Sequence, residues 1–407
     1  MIDRTSPADV MSLASGMQVG AVLVLQRDPG DVESLLAQRV PSVPRLRRRL
    51  VATPFGGGRP IWVDDAGFDI TGHVHRVVCP APGDEAALLD IASSLVIRPL
   101  PHSAPLWSAT IVTGLAEDRA ALVVVFHHVL SDGIGGLAVL ANLVDGSPAI
   151  EAEPFPAPAP SRHDLVKDAW AARLTSPAHF SLAGFRWPSR GARCSLNQPI
   201  GPRRRQTIAR TSVSRLRTAA HRCGGTVNDA LLSSVTGALG TVLAERGEHV
   251  DDLVVSVPVS TRRSTTAAHL GNSTGVMPVA LPTGGDTWSR LTRIAATTRS
   301  HKKTATPVTP VFRLLQGLGI ADWFMNHQHM VNTVVTNVHG PDRPVRLGGV
   351  PVVGLIPLSA TTGNVTVAFA ALSYAGTFTV TVVADPDRTP DLAAITEALQ
   401  AELDLLG

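Results

Sequence analysis

His127 and His128 stand side by side where the apolar run Ala121-Leu-Val-Val-Val-Phe126 stops, and Asp132, Gly133, Gly135 and Gly136 follow within a few residues. A neutral imidazole, with a pKa close to neutrality, takes a proton from an attacking hydroxyl and returns it to a leaving group. Successive strand residues face opposite sides, so only one of the two histidines works on a substrate. The other is a packing or hydrogen-bonded core residue. Asp132 falls in a turn, where its carboxylate either caps a helix beginning at Ile134 or pairs with a buried arginine. The glycines let the backbone bend and a ligand approach closely. Adjacent strand histidines diverge, and no further His, Cys or carboxylate completes a tetrahedral set at recognisable spacing, so no metal site is read here.

These residues need a strand buried on both faces to position them, which the β-branched run from Leu122 to Phe126 supplies. Asp118-Arg119 makes a turn, so Leu106 to Val112 and Ala121 to Phe126 read as a hairpin, and Leu137 to Leu143 as the helix that follows. Upstream, Ala21 to Leu25 is a strand and Asp31 to Val40 an amphipathic helix with an acidic start. The cluster Arg45, Arg47, Arg48 and Arg49 reads by default as a solvated helical face, with contact to anionic lipid or CoA phosphate as the sharper reading. Gly56-Gly57-Gly58 is a hairpin loop and not a phosphate loop. Trp62 to His75 is strand, loop and strand, with His73 and His75 expected at the surface of a β-edge. Pro82 to Val96 is a helix.

With 407 residues, 44% hydrophobic and 17% charged, the chain buries a large core and suits two domains better than one. The net charge of +3 describes no polyelectrolyte surface, and no nucleic-acid partner is expected. Lysine occurs only at 167, 302 and 303. No run of about 18 apolar residues argues for a membrane span. Asp3 and Asp9 accompany a single Arg4 at the N-terminus, so a secretory signal is not expected and the location read is cytoplasmic. Cys79, Cys194 and Cys223 are odd in number and widely spaced, as reduced thiols are.

Pro154 to Arg205 reads as a linker with one embedded helix, Leu165 to Leu174, capped by Ser161. The chain accordingly divides into 1–150, a linker 151–205, and 206–407. In the last part, helices are expected from Val213 to His221, from Thr226 through Leu243, from Thr287 to Ser300 and from Asp387 to Leu406. Thr226 caps the second of these, and Asn228 and Asp229 complement its first turn, a structural role. Strands are expected at Leu253–Ser260, Gly275–Leu281, Val331–Val338, Val350–Leu358, Asn364–Tyr374 and Thr377–Ala384. Tyr374, the single tyrosine, is expected to be structural.

His-His-x-x-x-Asp-Gly also marks the CoA-dependent acyltransferase superfamily, and within it this chain most resembles the bacterial wax ester synthase/diacylglycerol acyltransferases. Pro105-Leu106-Trp107 precedes the active-site strand as in that family. Asn197-Gln-Pro199-Ile-Gly201-Pro202-Arg203-Arg204, Gly225-Thr-Val-Asn228-Asp229, Val257-Pro-Val-Ser260-x-Arg262, Leu270-Gly-Asn272 and Thr336-Asn337-Val338-His339-Gly340-Pro341 follow in the family's order. Ser6-Pro7-Ala-Asp9 fits its opening, but Gly16 and Gln18 stand where the family has Pro and His.

The resemblance implies an α/β (α+β) fold of two chloramphenicol acetyltransferase-like subdomains, each a mixed sheet flanked by helices, with the active site in a tunnel between them. It implies fatty acyl transfer from acyl-CoA, a co-substrate rather than a cofactor, to a long-chain alcohol or to diacylglycerol. His128 is the general base by this resemblance, with His127, Asp132 and Gly133 completing the catalytic motif. Asp132 holds the architecture, with Arg262 as its candidate partner, and Arg262 and Asn337 are read as structural. Asn272, Trp107, Gly136, Lys302 and Lys303 are candidates for substrate or CoA contact. Asn272 equally suits a turn, Trp107 the core, and the two lysines a solvated helix end. The altered N-terminal motif keeps open a specialised natural-product acyltransferase or a condensation-like enzyme using a CoA or carrier-protein thioester. A third reading is a non-catalytic lipid-surface protein. Apolar substrates are compatible with peripheral association at a membrane or lipid-body surface.

Overall fold

The computed structural model describes residues 2–6, 9–10, 13, 17–147, 154–175, 190–260, 274–301 and 321–407. Its strands in chain order begin β1 (Gln18–Leu25), β2 (Arg48–Val51), β3 (Ile61–Asp64), β4 (Val74–Val78), β5 (Trp107–Thr113) and β6 (Ala120–His127). They continue with β7 (Arg205–Ser212), β8 (Asp252–Ser260), β9 (Thr274–Pro282) and β10 (Thr333–His339). The last four are β11 (Arg346–Leu347), β12 (Val350–Leu358), β13 (Val367–Tyr374) and β14 (Thr377–Ala384).

Two six-stranded mixed sheets form, in the orders β11-β12-β1-β6-β5-β4 and β7-β14-β13-β10-β8-β9, and β2 and β3 make a separate hairpin. In the first sheet β1 lies antiparallel between β6 and β12, while β4 runs parallel to β5. In the second, β10 runs parallel to both β8 and β13. Helices cover these sheets, so the α/β class and the two sheet-bearing halves expected from the resemblance are present.

β6 is apolar from Ala120 to Phe126, as a strand covered on both faces is. Leu122, Val124 and Phe126 join a core that holds Leu36, Val139 and Leu143 from the helices Val32–Arg39 and Gly133–Leu143. Ala121, Val123 and Val125 face the helix Glu85–Ile97 through Leu89, Ala92 and Val96. The second half has its own core around the helix Val227–Glu245. By length and composition that helix is apolar enough to cross a membrane, but Leu231, Leu232, Val235 and Leu239 lie buried between sheet and neighbouring helices. Core burial accounts for its apolarity.

Two late strands, β11 and β12, lie in the first sheet. β12, which belongs by position to the second half, completes the first sheet beside β1. Tyr374 at the end of β13 fastens this crossover: its hydroxyl donates to Val352 O and accepts from Val345 N–H, both at 2.9 Å. Thr381 of β14 adds a hydrogen bond to Pro357 O at 2.7 Å. The structural role expected for Tyr374 is what these bonds describe.

Two expectations for the first half are corrected. The arginine cluster is not a solvated helical face. Arg45 is buried with its guanidinium 4.7 Å from the Trp62 ring centre and bonded to Asp3 at 2.6 Å, Arg48 pairs with Asp64 at 2.8 Å, and Arg47 lies over Phe155. Carboxylates and aromatic rings distant in sequence fold onto it. His73 is likewise not on the surface: it stacks on Trp107 with ring centres 4.7 Å apart and its Nδ1 meets Trp107 O at 2.8 Å, while His75 is exposed.

Candidate active site

The end of β6 is fixed by backbone bonds before any side chain contributes. His127 N–H donates to Leu106 O at 3.0 Å, and His128 N–H to Met17 O at 2.9 Å, so the two histidines sit between the starts of β5 and β1. Leu130 N–H then closes a turn onto His127 O at 2.9 Å. Val129 and Leu130 are buried in the core, which anchors this turn from below.

Strand alternation separates the two imidazoles. His127 is 3% exposed, and its Nδ1 accepts the N–H of Val129 at 3.1 Å, which places the proton of the neutral ring on Nε2. Burial, together with His102 and His128 nearby, lowers its pKa to about 4. His127 is therefore uncharged at neutral pH. Among the described residues from Ala120 to Asp132, His128 alone is not buried. Of the motif's two imidazoles, it is the one partly open at the surface.

Asp132 is buried and is the N-cap of the helix Gly133–Leu143, with its Oδ1 accepting Gly135 N–H at 2.9 Å. The helix thus starts one residue earlier than Ile134. The carboxylate sits at the positive end of the helix dipole. The glycines serve close packing. A Cβ on Gly136 would lie 2.3 Å from Phe126 Cζ, so this buried position, a candidate for substrate contact, packs on the core. A Cβ on Gly133 would come 3.0 Å from Cγ2 of Val338, which lies on β10 of the second sheet. Gly133 is where the motif meets the other half of the molecule.

Trp107 is corrected from candidate substrate contact to core: it is 2% exposed, and its indole N–H donates to Leu46 O at 2.8 Å. Asp229 is buried and forms a capping box with Thr226, accepting Thr226 N–H at 2.7 Å and the Thr298 hydroxyl at 2.7 Å. Asn228 is half-buried in the same first turn. Asn337 is exposed next to Val338, which is not a core position. Asn272, Arg262, Lys302 and Lys303 lie outside the described residues. Burial raises the thiol pKa of Cys79 and Cys194, which keeps both protonated.

Two neighbours of the motif escape a sequence reading as partners. Gln18 lies directly opposite His127 in the β1–β6 ladder, buried, with its Nε2 donating to Arg98 O at 2.8 Å. Val338 reaches Gly133 from more than two hundred positions away. Val338 stands inside a segment that matches a family motif and Gln18 at a departure from one, but neither pairing has a local signal.

A model of the wax ester synthase/diacylglycerol acyltransferase catalytic domain matches residues 10–183, and one of the C-terminal domain of the same family matches residues 270–407. A putative diacylglycerol O-acyltransferase of Mycobacterium bovis is 30% identical over 419 aligned positions, covering 94% of this chain and 90% of that protein. A probable diacylglycerol O-acyltransferase of Mycobacterium tuberculosis matches with the same identity and coverage. Among solved structures, a wax ester synthase/diacylglycerol acyltransferase from Marinobacter aquaeolei VT8 superposes with a TM-score of 0.72 at 22% identity, over 99% of this chain and 98% of that one. The first condensation domain of the CDA synthetase does so with a TM-score of 0.67 at 18% identity, over 100% and 96%. At these identities the structural likenesses establish the fold.

Proposed function

This chain belongs to the wax ester synthase/diacylglycerol acyltransferase family, and from that premise we propose that it transfers a fatty acyl group from acyl-CoA to an alcohol with His128 as general base. The observation that carries the assignment is the accessibility of His128 beside a buried and uncharged His127.

The neutral imidazole of His128 accepts the alcohol proton as the alcohol oxygen attacks the thioester carbonyl. The tetrahedral intermediate collapses, the C–S bond breaks, and the imidazolium returns its proton to the CoA thiolate. No acyl-enzyme forms. His127 contributes a fixed, uncharged wall and so adds no cation of its own beside His128. Asp132 pins the helix start behind the turn. Asn272 or a backbone N–H is proposed as the oxyanion donor, and Lys302 and Lys303 as the CoA phosphate contacts. A long-chain alcohol gives a wax ester, and diacylglycerol gives triacylglycerol. The proposed parts are 1–150 for the motif, 151–205 for the linker and 206–407 for the opposing wall, with the enzyme peripheral at a membrane or lipid-body surface.

Thiol release from palmitoyl-CoA with hexadecanol, with dipalmitoylglycerol and without acceptor tests this reading. Acceptor-dependent release that His128→Ala abolishes supports it. The second reading, a specialised hydroxyl or amine acceptor or a carrier-bound donor, rests on Gly16 and Gln18 replacing the family's Pro and His. Folded protein inactive with both lipids favours that reading.

A further inference from the structure

We propose that the β2–β3 hairpin tip and the helix Arg162–Thr175 together form the surface by which this protein docks on an anionic phospholipid bilayer. The inference rests on the lipid-acyltransferase reading only in choosing a lipid surface as occupant.

Phe55, at the hairpin tip, is 99% exposed. Nothing in its own half requires it there, because the hairpin is stabilised without it: Gly57 N–H donates to Pro54 O at 2.8 Å and Thr53 Oγ1 donates to Gly58 O. On the helix, Leu165 and Ala169 are four residues apart and buried against the body, whereas Trp170 is 58% exposed and Leu174 is 78% exposed. His163, Lys167, Trp170 and Leu174 recur at spacings of four, three and four, so they share one outward stripe.

Hairpin and helix are one block. Arg4 Nε donates to Asp168 at 2.6 Å, and its other nitrogens donate to Gly57 O at 2.6 Å and Leu165 O at 2.8 Å. A Cβ on Gly58 would touch Ala169 Cβ at 3.3 Å. The two apolar projections are therefore held at fixed separation.

Charge fits that occupant. Arg162, Lys167 and Arg173 are exposed on this helix against one exposed carboxylate, Asp164, which accepts the Ser161 hydroxyl at 2.6 Å, while Asp168 is paired with Arg4. Exposed aromatic and leucine side chains, with Lys167 on the same stripe and Arg162 and Arg173 on its flank, match an interface of acyl chains beneath anionic headgroups. A protein groove would have to supply both a deep apolar slot and several carboxylates.

The test is co-sedimentation of the full-length protein with vesicles of phosphatidylglycerol and phosphatidylcholine, compared with phosphatidylcholine alone. F55S/W170S/L174S and K167Q/R173Q are measured beside the wild type, with circular dichroism confirming the fold of each. The proposal expects wild-type binding to the anionic vesicles, on the order of tenfold or more weaker in the apolar variant. The charge variant should lose the preference for phosphatidylglycerol. Thiol release on detergent-dispersed acyl-CoA and alcohol should be unchanged in both variants, so loss of docking and failure of the acyltransferase reading are separate observations. Wild type that does not sediment, or a folded F55S/W170S/L174S that binds as well as wild type, overturns the proposal. So does sedimentation-velocity evidence of a wild-type dimer that this variant disperses, which would make the surface a self-interface.

Discussion

His127 and His128 are one peptide bond apart yet live in different media, because β6 turns one ring into the layer beneath the Glu85–Ile97 helix side and leaves the other at the rim. Burial is the main cause of the low pKa of His127, near 4 against an ordinary 6.5. The unfolded chain takes up a proton at His127 near pH 6.5, and the folded chain does so only near pH 4. Between these values the unfolded state binds more protons, so stability is full above the upper value and falls as pH drops towards the lower one. The loss is on the order of 3 kcal/mol at most, at about 1.4 kcal/mol per pKa unit. Urea unfolding at about pH 7 and about pH 4.5 should show it in the wild type, and a smaller loss in His127→Gln. Equal losses in the two proteins would place the pH sensitivity elsewhere.

At the scale of elements, the helix Gly133–Leu143 lies so close to β6 that Gly136 has no room for a methyl group. Gly136→Ala drives a Cβ into the Phe126 ring and should cost about 1–3 kcal/mol. Phe126→Leu in the same background should recover part of that cost, read from a double-mutant cycle in urea; independent, additive costs would show that the two side chains do not compete for space. Elements of this kind were legible where the sequence carries both a period and a terminator. β12 and β14 run over the residues expected of them, and the Thr226 cap and Asp229 open their helix as expected. Partnerships were not legible. Nothing local in Arg45 says that Asp3 and Trp62 will enclose it, in Gln18 that it lies opposite His127, or in β12 that it joins β1. Trp107 beside an active-site strand suits a channel wall as well as a core, and only its bond to Leu46 O and its stacking on His73 decide between them.

The whole molecule is two sheets that are not separable by cutting the chain at its middle, since β12 leaves the second half to complete the first sheet. Tyr374 is the knot of that exchange. Burial raises its pKa, so the phenol stays protonated and able to donate to Val352 O while accepting from Val345 N–H. Tyr374→Phe leaves both backbone groups without that partner and should cost about 1–3 kcal/mol in global unfolding. Because the loss concerns the junction of the sheets and not the His128 rim, acceptor-dependent thiol release should persist in the folded variant. Stability equal to wild type by urea titration would show that the crossover holds without this hydroxyl. The meeting of Gly133 with Val338 on β10 has the same origin: the motif is carried by one sheet and closed by the other.

The most direct measurement is acceptor-dependent CoA release from palmitoyl-CoA by wild type and His128→Ala, each verified as folded by circular dichroism. With hexadecanol or dipalmitoylglycerol as acceptor, loss of the base should lower the rate by about 10²–10⁴-fold. Release by His128→Ala at the wild-type rate would remove His128 as the general base and with it the mechanism proposed.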